Sequence, residues 1–248
     1  MNPSKQRLDL LLVSRGLFES REKAQRSIMA GEVSVENRIV DKPGTRVAED
    51  AEIVLKATER YVGRGGLKLE GALKEFGINP TGLTCLDIGA STGGFTDCLL
   101  QHGAKKVYAI DVGHSQLAWK IRSDPRVVVH EHMNARHLKP SDIPDPIDLC
   151  VIDVSFISLT LILPPAFEVL QPNGTVIALI KPQFELRKEE VGRGGVVRDP
   201  ALHESAVAKI RDFVAEPLRR EWRGCIPSPI LGGEGNKEFL ACVRNTSV

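Results

Sequence analysis

The chain has 248 residues, 42% hydrophobic and 26% charged, and its 33 basic and 32 acidic side chains leave a formal charge of +1. That length allows one or two domains with a sizeable core, and the composition argues against wholesale disorder, a collagen-like repeat or a disulfide scaffold. No apolar run approaches the roughly 20 residues that span a bilayer. The start, Met1-Asn2-Pro3-Ser4-Lys5-Gln6-Arg7, leads into a short apolar stretch that Asp9 interrupts, with no small-residue cleavage pattern after it. No signal peptide is expected, and the protein is expected in the cytoplasm. Its cysteines, Cys85, Cys98, Cys150, Cys225 and Cys242, are odd in number and form no Cys-x-x-Cys pair, so buried reduced thiols are expected. With net charge near zero, any affinity for nucleic acid must come from local basic patches.

The first sixty residues read as a small α+β module. Leu8, Leu11 and Leu12 form an apolar helical stripe that Gly16 stops. Ser20 is placed to cap a second helix, on which Ala24 and Ile28 share a face and which Gly31 closes. Strand-like pieces follow at 33–35, 39–40 and 53–55, with Lys42-Pro43-Gly44 as a turn. From Lys5 to Arg26 there are six cations and three anions, and Lys23 and Arg26 lie on one side of the second helix. Such a patch suits sequence-independent phosphate contacts, and it equally suits a solvated charged face.

The order Arg7-Leu8-Asp9-Leu10-Leu11-Leu12, Arg15-Gly16-Leu17, Ser20-Arg21-Glu22-Lys23-Ala24, Gly31-Glu32-Val33-Ser34-Val35 and Lys42-Pro43-Gly44 resembles the S4 RNA-binding domain. The resemblance implies binding of structured RNA through the two-helix face, with Lys5, Arg7, Arg21, Lys23 and Arg26 as candidate contacts. Next comes a basic, glycine-rich linker at 60–67, in which Arg60 and Arg64 are further RNA candidates and Gly63, Gly65 and Gly66 permit tight turning. Beyond it Leu69, Ala72, Leu73 and Phe76 share a helical face, with Lys68 on its flank.

After Pro80 short apolar runs alternate with helical segments. Strands are expected at 83–88, 107–110, 127–129, 149–154 and 176–180, with two more at 220–226 and 238–243. Helices are expected at 96–102, 115–121, 158–170 and 201–215. This alternation predicts an α/β domain over 68–248, a mostly parallel sheet covered by helices on both faces, following an α+β domain at 1–59. Ligands of such sheets lie at the carboxyl ends of the strands.

The first of these strands ends Asp87-Ile88-Gly89-Ala90-Ser91-Thr92-Gly93-Gly94-Phe95. A dinucleotide fingerprint would want glycine where Ser91 stands. A carboxylate such as Asp87 is favourable beside an ammonium group and unfavourable beside a pyrophosphate. The segment resembles the first motif of Rossmann-like methyltransferases that bind S-adenosylmethionine. That resemblance implies cofactor contacts by Asp87, Gly89, Ser91, Gly93 and Gly94, and by Asp111 at the end of the second strand as the acid on the ribose diol. An acid at that place also fits a nicotinamide nucleotide. By position, Asn134 would lie near the adenine. His130, His132 and His137 lack the Cys or carboxylate companions of a four-ligand site, so no metal is expected.

Asp153 and Lys181 end neighbouring strands, and Glu238 opens the last one. With Lys68 they follow the order Lys, Asp, Lys, Glu, which resembles the tetrad of RNA ribose 2′-O-methyltransferases. The chain from about residue 5 to 243 is similar to the TlyA family, also called hemolysin A-like, in which an S4 domain precedes an FtsJ-like catalytic domain. Arg64-Gly65-Gly66-Leu67-Lys68-Leu69, Asp153-Val154-Ser155-Phe156-Ile157-Ser158, Lys181-Pro182-Gln183-Phe184 and Val191-Gly192-Arg193-Gly194-Gly195-Val196-Val197-Arg198-Asp199 carry that likeness. It implies methyl transfer from S-adenosylmethionine to a ribose 2′-hydroxyl, of cytidine, in ribosomal RNA or ribosomal subunits. It also implies Lys68, Asp153, Lys181 and Glu238 as the catalytic set. Lys181 would act as base or hydroxyl-orienting group with Asp153, while Lys68 and Glu238 position the ribose. A monomer suffices for this chemistry, and no membrane is involved. Three rivals remain: methylation of an exocyclic amine, a non-catalytic RNA-binding protein, and a membrane-active hemolysin.

Overall fold

The computed structural model describes residues 4–56 and 60–247. The chain divides into two compact units, Met1–Glu59 and Arg60–Val248. In the first, β1 (Lys5–Arg7), α1 (Leu8–Ser14) and α2 (Arg21–Met29) are followed by β2 (Val33–Val35), β3 (Arg38–Ile39), β4 (Arg46–Ala48) and β5 (Ile53–Leu55). Ser20 caps α2 by accepting from the Lys23 amide, and Gly31 follows the helix at positive φ. Leu8, Leu11, Leu12, Ala24, Ile28 and Val33 close the core. Strand β2 pairs antiparallel with both β3 and β5, and β1 pairs with β4. Strands β1 and β4 were not expected: each has three residues and no apolar alternation, and only their mutual register makes them strands.

Within this unit Asp9 is fully buried in the first turn of α1. Arg7 donates to both of its oxygens at 3.0 Å, Arg21 Nε at 2.9 Å and Gln25 Nε2 at 2.8 Å. These bonds, the Arg7 pair foremost, hold the Asp9 carboxyl well below the usual range against the opposing effect of burial. Arg7 and Arg21 are therefore part of the unit's own frame, and not simply free cations awaiting RNA.

The second unit opens with α3 (Gly65–Glu75), so Gly65, Gly66 and Leu67 of the expected linker are the first turn of a helix. The preceding segment is pinned: Tyr61 is buried, the Val62 amide donates to Asp97, and Gln101 Nε2 donates to the Arg60 carbonyl. Then come β6 (Thr84–Ile88), α4 (Gly94–Gln101), β7 (Lys106–Ile110), α5 (Trp119–Arg122), β8 (Val127–His130), β9 (Ile147–Ile152) and α6 (Leu163–Val169). The chain continues through β10 (Leu170–Ile180), α7 (Pro182–Glu185), α8 (Pro200–Ala215), β11 (Arg220–Pro227) and β12 (Phe239–Ser247).

Among the described residues these strands form one seven-stranded sheet in the order β11-β12-β10-β9-β6-β7-β8. The run from β10 to β8 is parallel, and β12 is antiparallel to both of its neighbours. Strand order reverses between β6 and β9, the place where such sheets open a crevice. Alternate side chains enter two cores. Leu86, Ile88, Cys150 and Ile152 pack with α6 and α8, while Cys85, Leu149 and Val151 pack with α3 and α4. All five cysteines are free thiols, and four are buried.

Two expected helices differ. Of 115–121 only 119–121 is helical, since Ser115 takes positive φ and Ala118, at ψ 140°, is extended just before α5. The segment 158–170 breaks into a 3₁₀ turn and α6, whose first turn carries Pro164 and Pro165, which have no N–H to continue an earlier helix. Leu170 already begins β10.

Asp87 follows the same alternation and points beneath α4. It is wholly buried there, and its Oδ2 accepts from Thr96 Oγ1 at 2.6 Å. Its Oδ1 has no partner among the described residues. Burial pushes this carboxyl up to about 7, against the opposing Thr96 bond.

Two carboxyls thus respond to pH in opposite senses. Asp9, depressed on folding, contributes stability at neutral pH that is lost as pH falls below about 4. Asp9→Ala is expected to destabilise the first unit by about 2–3 kcal/mol, discounted because its arginines are half-exposed. Hydrogen exchange of residues 8–28 in the full chain reads this. Asp87, raised on folding, holds its proton in the native state after the unfolded chain has released it. Stability therefore falls between about pH 4 and pH 7. Asp87→Asn, which can still accept from Thr96, is expected to remove that fall and to gain about 2–4 kcal/mol at pH 8. Thermal melts from pH 5 to 8 check it.

Candidate active site

The turn from β6 into α4 is shaped by two glycines. Gly89 has φ +83° and lies so close to the Asp153 carbonyl that a Cβ there would collide with it. Gly93 has φ +96° and provides the left-handed residue that starts α4. The turn is thereby pressed between the end of β9 and the start of α3, where Gly94 meets the Gly63 carbonyl and the Gly66 amide.

In front of the turn a cavity of about 940 Å³ runs along the carboxyl ends of β6, β7 and β9. Gly89, Ser91, Asp111, Asn134 and Asp153 line it, with Ile110, Met133 and Ala135 as an apolar wall. Asp111 accepts from the Ser91 amide at 2.8 Å and the Gly113 amide at 2.7 Å, which fixes the carboxylate at the wall. Asn134 caps the short turn after it by accepting from the Arg136 amide. An open glycine floor, an apolar slot and two carboxylates fit a nucleoside cofactor that carries positive charge, such as S-adenosylmethionine. Asp87 is not part of that wall. The expectation that it touches the cofactor is corrected by the strand's alternation, which sends it behind the turn to bond Thr96. Gly93 likewise shapes the turn from behind, against Leu117 and Ile121.

A second cavity, of about 270 Å³, adjoins the same turn. Lys68, Asp153, Lys181, Ser155 and Arg64 line it together with Ser91 and Gly94. Lys181 Nζ lies 2.6 Å from Asp153 Oδ1 in an ionic contact, and directs a hydrogen bond to Ser155 Oγ at 2.9 Å. Lys68 Nζ donates to Glu238 Oε2 at 2.5 Å. Glu238 is 2% exposed in its side chain, and both lysines are 10% exposed, so the pairs are largely shut off from water. The four residues come from α3 and from the ends of three adjacent strands, β9, β10 and β12. Because β12 runs antiparallel to β10, its beginning falls at the edge where β9 and β10 end.

Of the seven cations expected to meet RNA, four hold partners within the chain. Arg7 and Arg21 bond Asp9, Lys23 bonds Glu19, and Arg60 lies 2.5 Å from Glu70. Lys5, Arg26 and Arg64 are exposed. Among the described residues, no cluster of three metal-ligating side chains occurs and no helix is long and apolar enough to cross a membrane.

Two groups at the site escaped sequence reasoning. Glu185, 2% exposed, accepts from Ser158 Oγ at 2.6 Å, from the Leu159 amide at 2.7 Å and from Lys209 Nζ at 3.1 Å. It ties α7 to the segment after Asp153 and to α8. Phe156, 90% exposed at φ +63°, stands on the rim of the larger cavity with its ring 5.0 Å from that of Phe184. An exposed phenylalanine in a left-handed conformation marks strain held at a functional rim, but nothing in a single sequence reports φ.

Comparison with known proteins agrees with this geometry. The family profile of FtsJ-like methyltransferases matches residues 61–245, and that of the S4 domain matches residues 6–53. The chain is 52% identical over 243 residues to YqxC of Bacillus subtilis, which carries an rRNA methyltransferase name, covering 97% of this chain and 86% of that one. It is 45% identical over 240 residues to the 16S/23S rRNA (cytidine-2′-O)-methyltransferase TlyA of Mycobacterium tuberculosis, covering 96% and 89%. A solved structure from Streptococcus thermophilus, named as a hemolysin, superposes with a TM-score of 0.75 at 47% identity, covering 98% of this chain and 89% of that one. With its S4 domain and its catalytic sheet, the chain belongs to the TlyA group of FtsJ-like methyltransferases.

Proposed function

We propose that this chain transfers the methyl group of S-adenosylmethionine to a ribose 2′-hydroxyl, that of a cytidine, in ribosomal RNA. The observation that carries the reading is the shared cavity. Lys68, Asp153 and Lys181 line one space beside the Gly89–Gly94 turn, and Glu238 holds Lys68 from behind. The TlyA relative carries that activity in its name.

S-adenosylmethionine, when bound, supplies an electrophilic methyl on a cationic sulfonium. Gly89, Ser91, Asp111 and Asn134, which line the larger cavity, would hold it there. A ribose hydroxyl is a weak nucleophile at neutral pH, so its proton must leave as the new bond forms. Lys181 Nζ takes that proton, held in place by Asp153 and Ser155. Lys68, fixed by Glu238, positions the ribose. Residues lining the two adjoining cavities would hold cofactor and ribose side by side, and that proximity would supply much of the acceleration. The lysine pair favours this reading over methylation of an exocyclic amine, which has no use for a base of this kind.

In this reading residues 1–59 grip structured RNA through the S4-like unit, with Lys5 and Arg26 as exposed phosphate contacts and with Arg7, Arg21 and Lys23 beside them. Arg60 and Arg64, at the start of the second unit, are further phosphate contacts in this reading. The exposed ring of Phe156 offers a stacking face for an extruded base. The enzyme works as a monomer in the cytoplasm on RNA or ribosomal subunits, with no metal and no membrane.

The test is transfer of tritiated methyl to ribosomal subunits from a host lacking the enzyme, with the label mapped by digestion and mass spectrometry. Label is expected on a ribose. Lys181→Ala is expected to lower kcat by on the order of 10²- to 10⁴-fold while cofactor affinity stays near wild type. Label on a base, or wild-type turnover by Lys181→Ala, overturns the reading.

A further inference from the structure

Ser155 lines both the larger cavity and the lysine cavity, and so stands where the two meet. Its hydroxyl oxygen accepts from Lys181 Nζ at 2.9 Å, while Asp153 Oδ1 lies 2.6 Å from the same nitrogen. A neutral amine has two N–H bonds and one lone pair, in a tetrahedral arrangement. With Asp153 alone as partner, the nitrogen can rotate about that one contact and point its lone pair at the protein. The bond to Ser155 fixes one N–H, and the carboxylate oxygen beside the nitrogen repels its lone pair, so the lone pair is left for the space that Lys181 itself lines.

We infer that Ser155 is a positioning residue for methyl transfer: it accepts one N–H of Lys181 while the Asp153 carboxylate sits against the same nitrogen, and the two together turn the lone pair of Nζ toward the substrate hydroxyl. The inference rests on the reading of Lys181 as base. It adds a role for a side chain outside the Lys-Asp-Lys-Glu set.

The segment carrying Ser155 is held well enough for this work. Two carboxylate oxygens of buried Glu185 bind Ser158 Oγ and the Leu159 amide, and Glu185 lies four residues beyond Lys181 on the same chain segment. The hydroxyl and the amine it orients are thus anchored to one another through a clamp built on α7. Lys209 Nζ donates to the Glu185 carbonyl at 2.6 Å as well as to its carboxylate, which fixes that clamp to α8. Ser155 itself is exposed and packs into neither core, so loss of its hydroxyl leaves the fold intact.

The experiment compares Ser155→Ala, Ser155→Thr and Lys181→Ala in the full chain, by single-turnover transfer, cofactor titration, RNA affinity and thermal melts. Ser155→Ala is expected to lower kcat by on the order of 10- to 100-fold. Its KM for RNA and cofactor affinity should stay within about 3-fold and its Tm within about 2 °C, as for a surface change. Ser155→Thr, which keeps a hydroxyl, is expected to recover most of that loss. If Lys181→Ala is inactive while Ser155→Ala keeps wild-type kcat, this inference alone fails. It also fails if Thr falls as far as Ala, since then the hydroxyl is not what matters. If Lys181→Ala turns over at the wild-type rate, the base assignment fails first and Ser155 has nothing to orient.

Discussion

The parallel pairing of β9 with β10 is the constraint on which the site depends. Ile177 opposite Val151 and Ala178 opposite Ile152 set the register, and the two strands then release Asp153 and Lys181 at one edge of the sheet. A carboxylate and an amine delivered in this way meet at 2.6 Å without any loop having to carry them there. The same edge receives Glu238 because β12 enters antiparallel, and it receives the cofactor turn because Gly89 has no side chain to keep it off Asp153. A shift of β10 by one residue would turn Ile180 and its apolar neighbours out of their cores and would separate the pair.

Burying two lysine–carboxylate pairs is not an economical way to stabilise a sheet. Removing such ions from water costs several kcal/mol each, and apolar residues of like volume often serve stability as well or better. Their placement beside a cavity gives the cost a use. Charges held in a dry, preorganised site act more strongly on a reacting group than the same charges in water. The first unit handles its buried charge differently. Asp9 is buried and bonded by two arginines and a glutamine, which ties β1, α1 and α2 together.

Much of this was legible in the sequence. Apolar runs such as Leu149–Ile152 lie in strands buried on both faces, and Ser20 and Gly31 bound α2 where capping chemistry puts them. Order and resemblance singled out Lys68, Asp153, Lys181 and Glu238, and the fold brings these four together, although no spacing rule joins residues so far apart. The failures have physical causes. A three-residue strand such as Arg46–Ala48 has too few positions to show a period. A Pro164-Pro165 step reads as a continuing apolar stripe until its missing N–H groups are counted. Asp87 was placed on the ligand because the turn follows it, whereas a strand sends alternate residues to opposite faces and this one went under α4. Glu185 left no local signal, for its partners lie 24 to 27 positions away.

The ion pair of Lys68 with Glu238 joins positions 170 residues apart. During synthesis the amino-terminal unit, the cofactor turn and most of the sheet emerge before Glu238 exists, so for that interval Lys68 belongs to a nascent chain with no counter-ion for it. Strand β12, inserted between β10 and β11, is the piece that supplies the partner and fills the sheet in one event. Completion of the sheet and completion of the Lys68–Glu238 pair are therefore a single late step, and a chain interrupted shortly before its end carries an S4-like unit with Lys68 still unpaired behind it.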